Sequence, residues 1–109
     1  MKVRQRPGLS VRVDREPPHE PALVSAQLLD CNRAQIQLLV AFPLQSNERV
    51  RVRVRDESSG LQLDVAGAVV AQHDYEPGSW FVTCRFDHEL DWETLGELFL
   101  CGILDSAPR

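Results

Sequence analysis

The sequence predicts an all-β domain with one C-terminal helix: a six-stranded antiparallel β-barrel capped by an amphipathic helix. Two observations carry this prediction. Six short segments alternate apolar and polar residues and are separated by turn signals. After Phe86 the period becomes helical, with apolar residues at Trp92, Leu95, Leu98, Phe99 and Ile103. An all-strand body followed by one helix is a narrow architectural class, so it restricts function more than any catalytic motif here does.

The length of 109 residues allows one domain with one modest core, so residues 1–109 are expected to fold as a unit. We expect a basic N-terminal segment over 1–8, barrel strands over 9–86 and the helix over 91–104. An apolar fraction of 43% excludes wholesale disorder. Since no apolar run reaches membrane-spanning length and the basic N-terminus lacks a signal-peptide core, a cytoplasmic protein without membrane insertion is expected.

The first half of the barrel consists of three predicted strands. The first strand, 9–13, places Leu9, Val11 and Val13 on one face. The loop Glu16–Pro21 follows, because its three prolines cannot join a sheet ladder. The second and third strands cover 22–30 and 34–42, and the polar stretch 30–33 turns the chain between them.

The second half of the barrel contains the most regular strand of the sequence. Residues 49–55 alternate strictly, which predicts valines pointing inward and arginines pointing outward. A hairpin loop leads to the fifth strand, 61–70, in which Gly67 is expected to mark a bulge or sharp bend. The loop 74–78 then leads into the sixth strand, 78–86.

The helix carries its own start signal. Asp91 stands where an N-cap belongs, and Glu93 places negative charge near the positive end of the helix dipole. The apolar residues Leu95, Phe99 and Ile103 need a buried surface, so we expect the helix to lie across one opening of the barrel.

The charge of the chain is distributed unevenly. Residues 1–55 carry ten Lys or Arg against five Asp or Glu, whereas residues 56–109 carry two against eleven. The basic half favours an anionic ligand over bulk nucleic acid, because the acidic half would repel a long polyanion. Simple solvation of exposed strand faces explains the same charges.

The sequence offers no pattern typical of an enzyme or a metal site. Cys31, Cys84 and Cys101 form no Cys-x-x-Cys pair and are expected to be reduced thiols. Cys84 and His88 would lie about 13 Å apart along an extended strand, too far for one zinc ion. Nucleophile-elbow and phosphate-binding glycine patterns are also missing. We therefore predict a non-enzymatic protein without cofactor or metal.

Three segments, in this order, resemble the PilZ domain, a bacterial barrel that serves as a receptor for cyclic di-GMP. Ala22–Leu38 resembles that family's strand–turn–strand, which carries the motif Asp/Asn-x-Ser-x-x-Gly. Pro43–Val54 is similar to the turn and regular strand that follow. Trp80–Phe99 is similar to the closing strand and capping helix. The resemblance covers nearly the whole chain.

The resemblance also implies a cyclic di-GMP site. The N-terminal Arg-x-x-x-Arg motif falls on Lys2 and Arg6 with Arg4 between them, and the second motif falls on Asp30, Asn32 and Gln35, with Arg33 as a substitute phosphate contact. Three positions depart from the motifs. Lys2 cannot form the bidentate fork of an arginine, and Asn32 replaces serine. Gln35 replaces glycine, and a left-handed backbone there would cost about 1 kcal/mol.

Three functions remain open at this point. The first is a PilZ-type signalling module with weakened or non-standard binding of cyclic di-GMP. The second is a PilZ-fold adaptor that has lost the nucleotide and binds a protein partner, for which the arginines of 49–55 or the acidic helix region could serve. The third is a small-barrel nucleic-acid binder, which the negative net charge and scarce aromatic residues disfavour.

Overall fold

The computed structural model describes residues 2–3 and 7–105, and six of its strands form a closed antiparallel barrel. The strands pair in the order β2-β5-β6-β7-β4-β3, and pairing of β3 with β2 closes the barrel. The elements are β1 (Lys2–Val3), β2 (Leu9–Arg15), β3 (Leu23–Cys31), β4 (Gln35–Val40), β5 (Arg49–Asp56), β6 (Leu61–Glu76), β7 (Ser79–Phe86), α1 (Trp92–Leu100) and β8 (Leu104–Asp105). The predicted six-stranded barrel with a C-terminal helix, a PilZ-like fold, is confirmed.

Apolar and polar residues alternate along the strands, and the apolar ones form the core, as predicted. In β5, Val50, Val52 and Val54 are buried, while Arg49 and Arg51 on the opposite face are exposed. The same rule holds in β2, β4 and β7, because successive side chains of a strand point to opposite faces of the sheet.

One end of the barrel carries the helix, and we call it the helix end. There the chain turns from β3 to β4 and from β5 to β6, and β7 leads into α1. Leu95 and Leu98 of α1 are buried in the same apolar cluster as the barrel valines. The opposite end, called the loop end, carries the segments 16–22 and 41–48.

The helix begins as predicted and ends earlier than predicted. The Asp91 carboxylate accepts a hydrogen bond from the Thr94 amide at 2.7 Å and so caps the first turn. The helix stops at Leu100 rather than at 104, because Gly102 adopts φ 84° and its amide bonds back to the Phe99 carbonyl. Ile103 is fully buried just beyond this turn.

The strand β6 differs most from expectation. It runs to Glu76, so the predicted loop 74–78 is a tight turn at Pro77 and Gly78. The bulge expected at Gly67 lies instead at Val70, where the register with β7 shifts. Gly67 has another role: a Cβ atom there would lie 2.3 Å from the Arg85 carbonyl oxygen, so the two backbones approach more closely than any side chain permits.

All three cysteines are free thiols, and Cys31 and Cys84 are buried. Burial raises the pKa of each of these two thiols to about 12, helped by the neighbouring carboxylate of Asp30 for Cys31 and of Glu48 for Cys84. Both therefore stay protonated near neutral pH and act as small apolar core residues.

Candidate functional site

The turn between β3 and β4 is held together by Asn32, one of the predicted ligand residues. Its side-chain oxygen accepts hydrogen bonds from the amides of Ala34 and Gln35, both at 2.8 Å. The backbone N–H of Asn32 donates to the Gln35 carbonyl at 2.9 Å. The residue at the serine position of the family motif thus directs its oxygen at its own backbone, as asparagine commonly does in turns.

Gln35 occupies the glycine position of the motif without strain. It is the first residue of β4 and pairs with Arg85 of β7 in regular register. Within the described residues, Asn47 is the one non-glycine residue with positive φ. The cost of about 1 kcal/mol expected for a left-handed Gln35 therefore does not arise.

Arg33 links the same turn to the entry of the helix. Its Nε donates to the Leu90 carbonyl at 2.7 Å, and its guanidinium carbon lies 4.1 Å from the ring centroid of Trp92. Glu89 lies within 3.8 Å of the same guanidinium group. Because the arginine is stacked, hydrogen-bonded and partly neutralised, its charge is less available to a phosphate than that of a solvent-facing arginine.

The short strand β1 lies beside the second motif. In the backbone register, Lys2 of β1 lies opposite Asp30 of β3 and also opposite Asp105 of β8. The half-buried Asp30 accepts a hydrogen bond from the Cys31 amide at 2.8 Å. The predicted residues Arg4 and Arg6 lie outside the described residues. The fold thus brings the start of the chain to the strand that carries Asp30.

The arginine row of β5 is largely neutralised within the chain. Three of its four members form ion pairs: Arg49 with Asp87, Arg53 with Asp14 at 2.7 Å and Arg55 with Asp64 at 2.9 Å. Hydrogen bonding from these arginines lowers the pKa of both Asp64 and Asp87. The outer face of β5 therefore carries arginine–aspartate ion pairs and is not a strongly cationic surface.

A buried ion pair at the loop end was not predicted. Arg15 donates from Nε and a terminal nitrogen to the Glu48 carboxylate at 2.5 and 3.0 Å, and the two side chains are 2% and 0% exposed. The Gln45 amide donates to the same carboxylate at 2.8 Å. Both residues lie two positions from a buried valine, Arg15 after Val13 and Glu48 before Val50, so strand alternation points their side chains inward. This alternation was the sequence pattern from which their burial could have been predicted.

The loop end also holds a cavity of about 580 Å³ beside this pair, lined by Phe42, Leu44 and His19 among others. No group of three or more His, Cys, Asp or Glu side chains that could hold a metal ion occurs within residues 2–3 and 7–105. Across the same residues, no helix has the length and apolar character needed to cross a membrane.

Comparison with known proteins finds a similar fold among the solved structures. No protein-family model matches the sequence, and the curated proteins contain no significant match. Among solved structures, the Bacillus subtilis inhibitor of motility (MotI/DgrA) is similar, with a TM-score of 0.63 and 17% sequence identity. The similarity covers 92% of this chain and 48% of that one, so this chain spans about half the length of that protein. At this identity the similarity concerns the fold.

The turn geometry gives the first testable prediction. Replacing Asn32 with alanine is expected to lower the free energy of unfolding by about 1 kcal/mol, because two turn amides lose their acceptor. Urea denaturation measures this loss. Asn32→Asp is the control, because it keeps an acceptor oxygen and should stay within about 0.5 kcal/mol of wild type. Equal stability of the alanine variant would show that the side chain does not hold the turn.

Proposed function

We propose that this chain is a PilZ-type signalling module of the bacterial cytoplasm, a non-enzymatic receptor with weakened or non-standard binding of cyclic di-GMP. The observation that carries this proposal is the arrangement at the helix end. There a closed barrel is capped by a helix, and Lys2 of β1 pairs in register with Asp30 of β3. The PilZ resemblance of the sequence implies one ligand site formed by the N-terminal motif and the motif that includes Asp30. The similarity in fold to an inhibitor of motility supports a regulatory role.

The proposed ligand contacts divide between two segments. The Asp30 carboxylate would accept hydrogen bonds from the edge nitrogens of a guanine base, and Arg4 and Arg6 would bind phosphate oxygens in bidentate fashion. Lys2 would add a single charge. Asn32 and Arg33 are already engaged within the chain, and this engagement is the reason to expect weaker binding than an intact motif would give.

Isothermal titration with cyclic di-GMP tests this proposal. We expect binding weaker than about 1 μM, equivalent to less than about 8 kcal/mol. Asp30→Ala should reduce the affinity about tenfold, because one good base-edge contact contributes roughly 1–3 kcal/mol. Arg12→Ala, which removes an exposed arginine from the outer face of β2, is the matched control and should bind as wild type does. Tight binding that survives Asp30→Ala would place the nucleotide elsewhere.

A second candidate is a PilZ-fold adaptor that binds a protein partner and no nucleotide. It is favoured by the engagement of Asn32 and Arg33 in the turn and the helix entry, since both would have to be released to contact a ligand. Absence of heat up to millimolar cyclic di-GMP, with wild-type thermal stability unchanged by the nucleotide, would favour this candidate over the first.

A further inference from the structure

The outer face of α1 carries two strongly exposed apolar side chains. Trp92 is 70% exposed and Leu100 is 89% exposed, and Gly96 lies midway between them. The spacing of four residues places all three on one side of the helix, in successive turns. The buried face of the helix, with Leu95 and Leu98, is a different one. The fold therefore leaves an apolar ridge with a gap at its centre.

Nothing among the described residues requires a glycine at position 96. It lies inside α1, and a Cβ atom built on it meets nothing within 4 Å. Alanine would fit there and would favour the helix by about fivefold in the folding equilibrium. A glycine that the chain does not need provides a notch that something outside the chain can fill, because it permits close approach to the helix backbone.

The surroundings of this notch are acidic. Glu93 and Glu97 are exposed on α1, which has no basic residue in its last turn, and Glu89 is exposed just before it. Beyond Leu100 a groove of about 420 Å³ separates the helix from the β5–β6 hairpin and is lined by Glu97 among others. The face thus offers apolar contacts flanked by the carboxylates of Glu93 and Glu97, while Glu89 lies 3.8 Å from the Arg33 guanidinium.

Trp92 is stacked against an arginine of the same chain. The Arg33 guanidinium covers one side of its ring at 4.1 Å and is itself held by the Leu90 carbonyl. An exposed aromatic side chain that is already ordered loses little conformational entropy on binding, and such side chains often anchor protein interfaces.

We propose that this face, formed by Trp92, Gly96 and Leu100 and hereafter called the notch face, docks a cationic amphipathic helix of a partner protein. One apolar side chain of that helix fills the notch, and lysines or arginines pair with Glu93 and Glu97. A second copy of the chain does not fit, because two notch faces would bring their glutamates together without compensating cations. The inference does not depend on nucleotide binding.

Selection from a displayed library of amphipathic helical peptides, balanced in acidic and basic residues, tests this proposal. The wild-type chain is the target, and the strongest selected peptide is then synthesised and measured by fluorescence anisotropy. We expect selected peptides rich in Lys and Arg. Gly96→Leu, which fills the notch, and Trp92→Ala should each weaken the measured peptide at least tenfold. Tyr75→Ala removes a comparably exposed aromatic side chain from the loop end and should change nothing.

Three results of the peptide experiment would overturn the proposal. They are selected peptides without a basic excess, no enrichment over a bare support, and binding that is indifferent to Gly96→Leu. Loss of folding cannot imitate the expected result, because Gly96→Leu faces open space and should melt no lower than wild type. A concentration-dependent dimer that Leu100→Asp disrupts would assign the notch face to a second copy instead.

Discussion

Replacing Glu48 with alanine is expected to lower the free energy of unfolding by about 3–5 kcal/mol, a larger effect than removal of any surface charge should have. The carboxylate is fully buried and accepts two hydrogen bonds from Arg15 and one from the Gln45 amide. Its removal leaves the Arg15 guanidinium buried without a counter-charge, although Phe42 lies 5.4 Å from it. Urea or thermal denaturation measures the change.

Two further variants define the origin of this loss. Asp64→Ala breaks a more exposed ion pair with Arg55 and should cost no more than about 1 kcal/mol. The double variant Arg15→Met, Glu48→Leu should recover most of the stability, because neither charge then remains in the core. If Glu48→Ala proved no worse than Asp64→Ala, Arg15 would not depend on Glu48 for its counter-charge.

The same pair gives the chain a defined pH dependence. Burial alone would raise the pKa of Glu48, but the hydrogen bonds from Arg15 and the Gln45 amide, together with the charge of Arg15, outweigh it and lower the pKa below 4.5. A lowered pKa in the folded state contributes stability above the pKa of the unfolded chain, and this contribution is lost as pH falls through the folded value. Wild type should thus lose more stability than Glu48→Gln as the pH falls below 4.5.

The second large effect is expected at Gly67. Its replacement with alanine should destabilise the chain by about 3 kcal/mol, because the new Cβ would lie 2.3 Å from the Arg85 carbonyl oxygen and 3.2 Å from the Phe86 Cα. These are backbone atoms, so the clash can be relieved only by moving β6 away from β7. The melting temperature is the simplest measurement, and a loss of this size corresponds to more than about 10 °C for a domain of this length.

Gly96→Ala is the matched control, because it makes the same chemical change at a glycine whose Cβ meets nothing. It should stabilise the chain by about 1 kcal/mol through helix propensity. Changes of opposite sign in the free energy of unfolding for Gly67→Ala and Gly96→Ala would establish that the close approach of β6 to β7, rather than glycine content, controls stability here. Alanine tolerated equally at both positions would contradict this explanation.

Part of the candidate site could be predicted from the sequence. The resemblance to PilZ domains singled out Asn32, Arg33 and Gln35 as ligand residues, and these residues do lie together at the helix end. The contact of Arg33 could not be predicted, because its partner Leu90 lies 57 residues further along the chain. The proposed roles of Asp30, Arg4 and Arg6 stay predictions.

The sequence alone determined which face of each strand is buried and where the helix begins. Alternation in Val50, Val52 and Val54 and the cap at Asp91 are properties of a few adjacent residues, so they can be predicted without knowing the neighbours. Even the buried Arg15 and Glu48 follow the inward phase of their strands.

Only the tertiary structure decided which strands pair and which charges meet. Closure of the barrel through β2 and β3, the approach of Gly67 to Arg85 and the pairing of Arg15 with Glu48 all join residues distant in sequence. The tertiary structure also left Trp92, which the helical period assigns to the apolar face, exposed over Arg33. The physical reason is that strand alternation follows from local backbone geometry, whereas pairing, burial and charge compensation depend on which distant segments become neighbours.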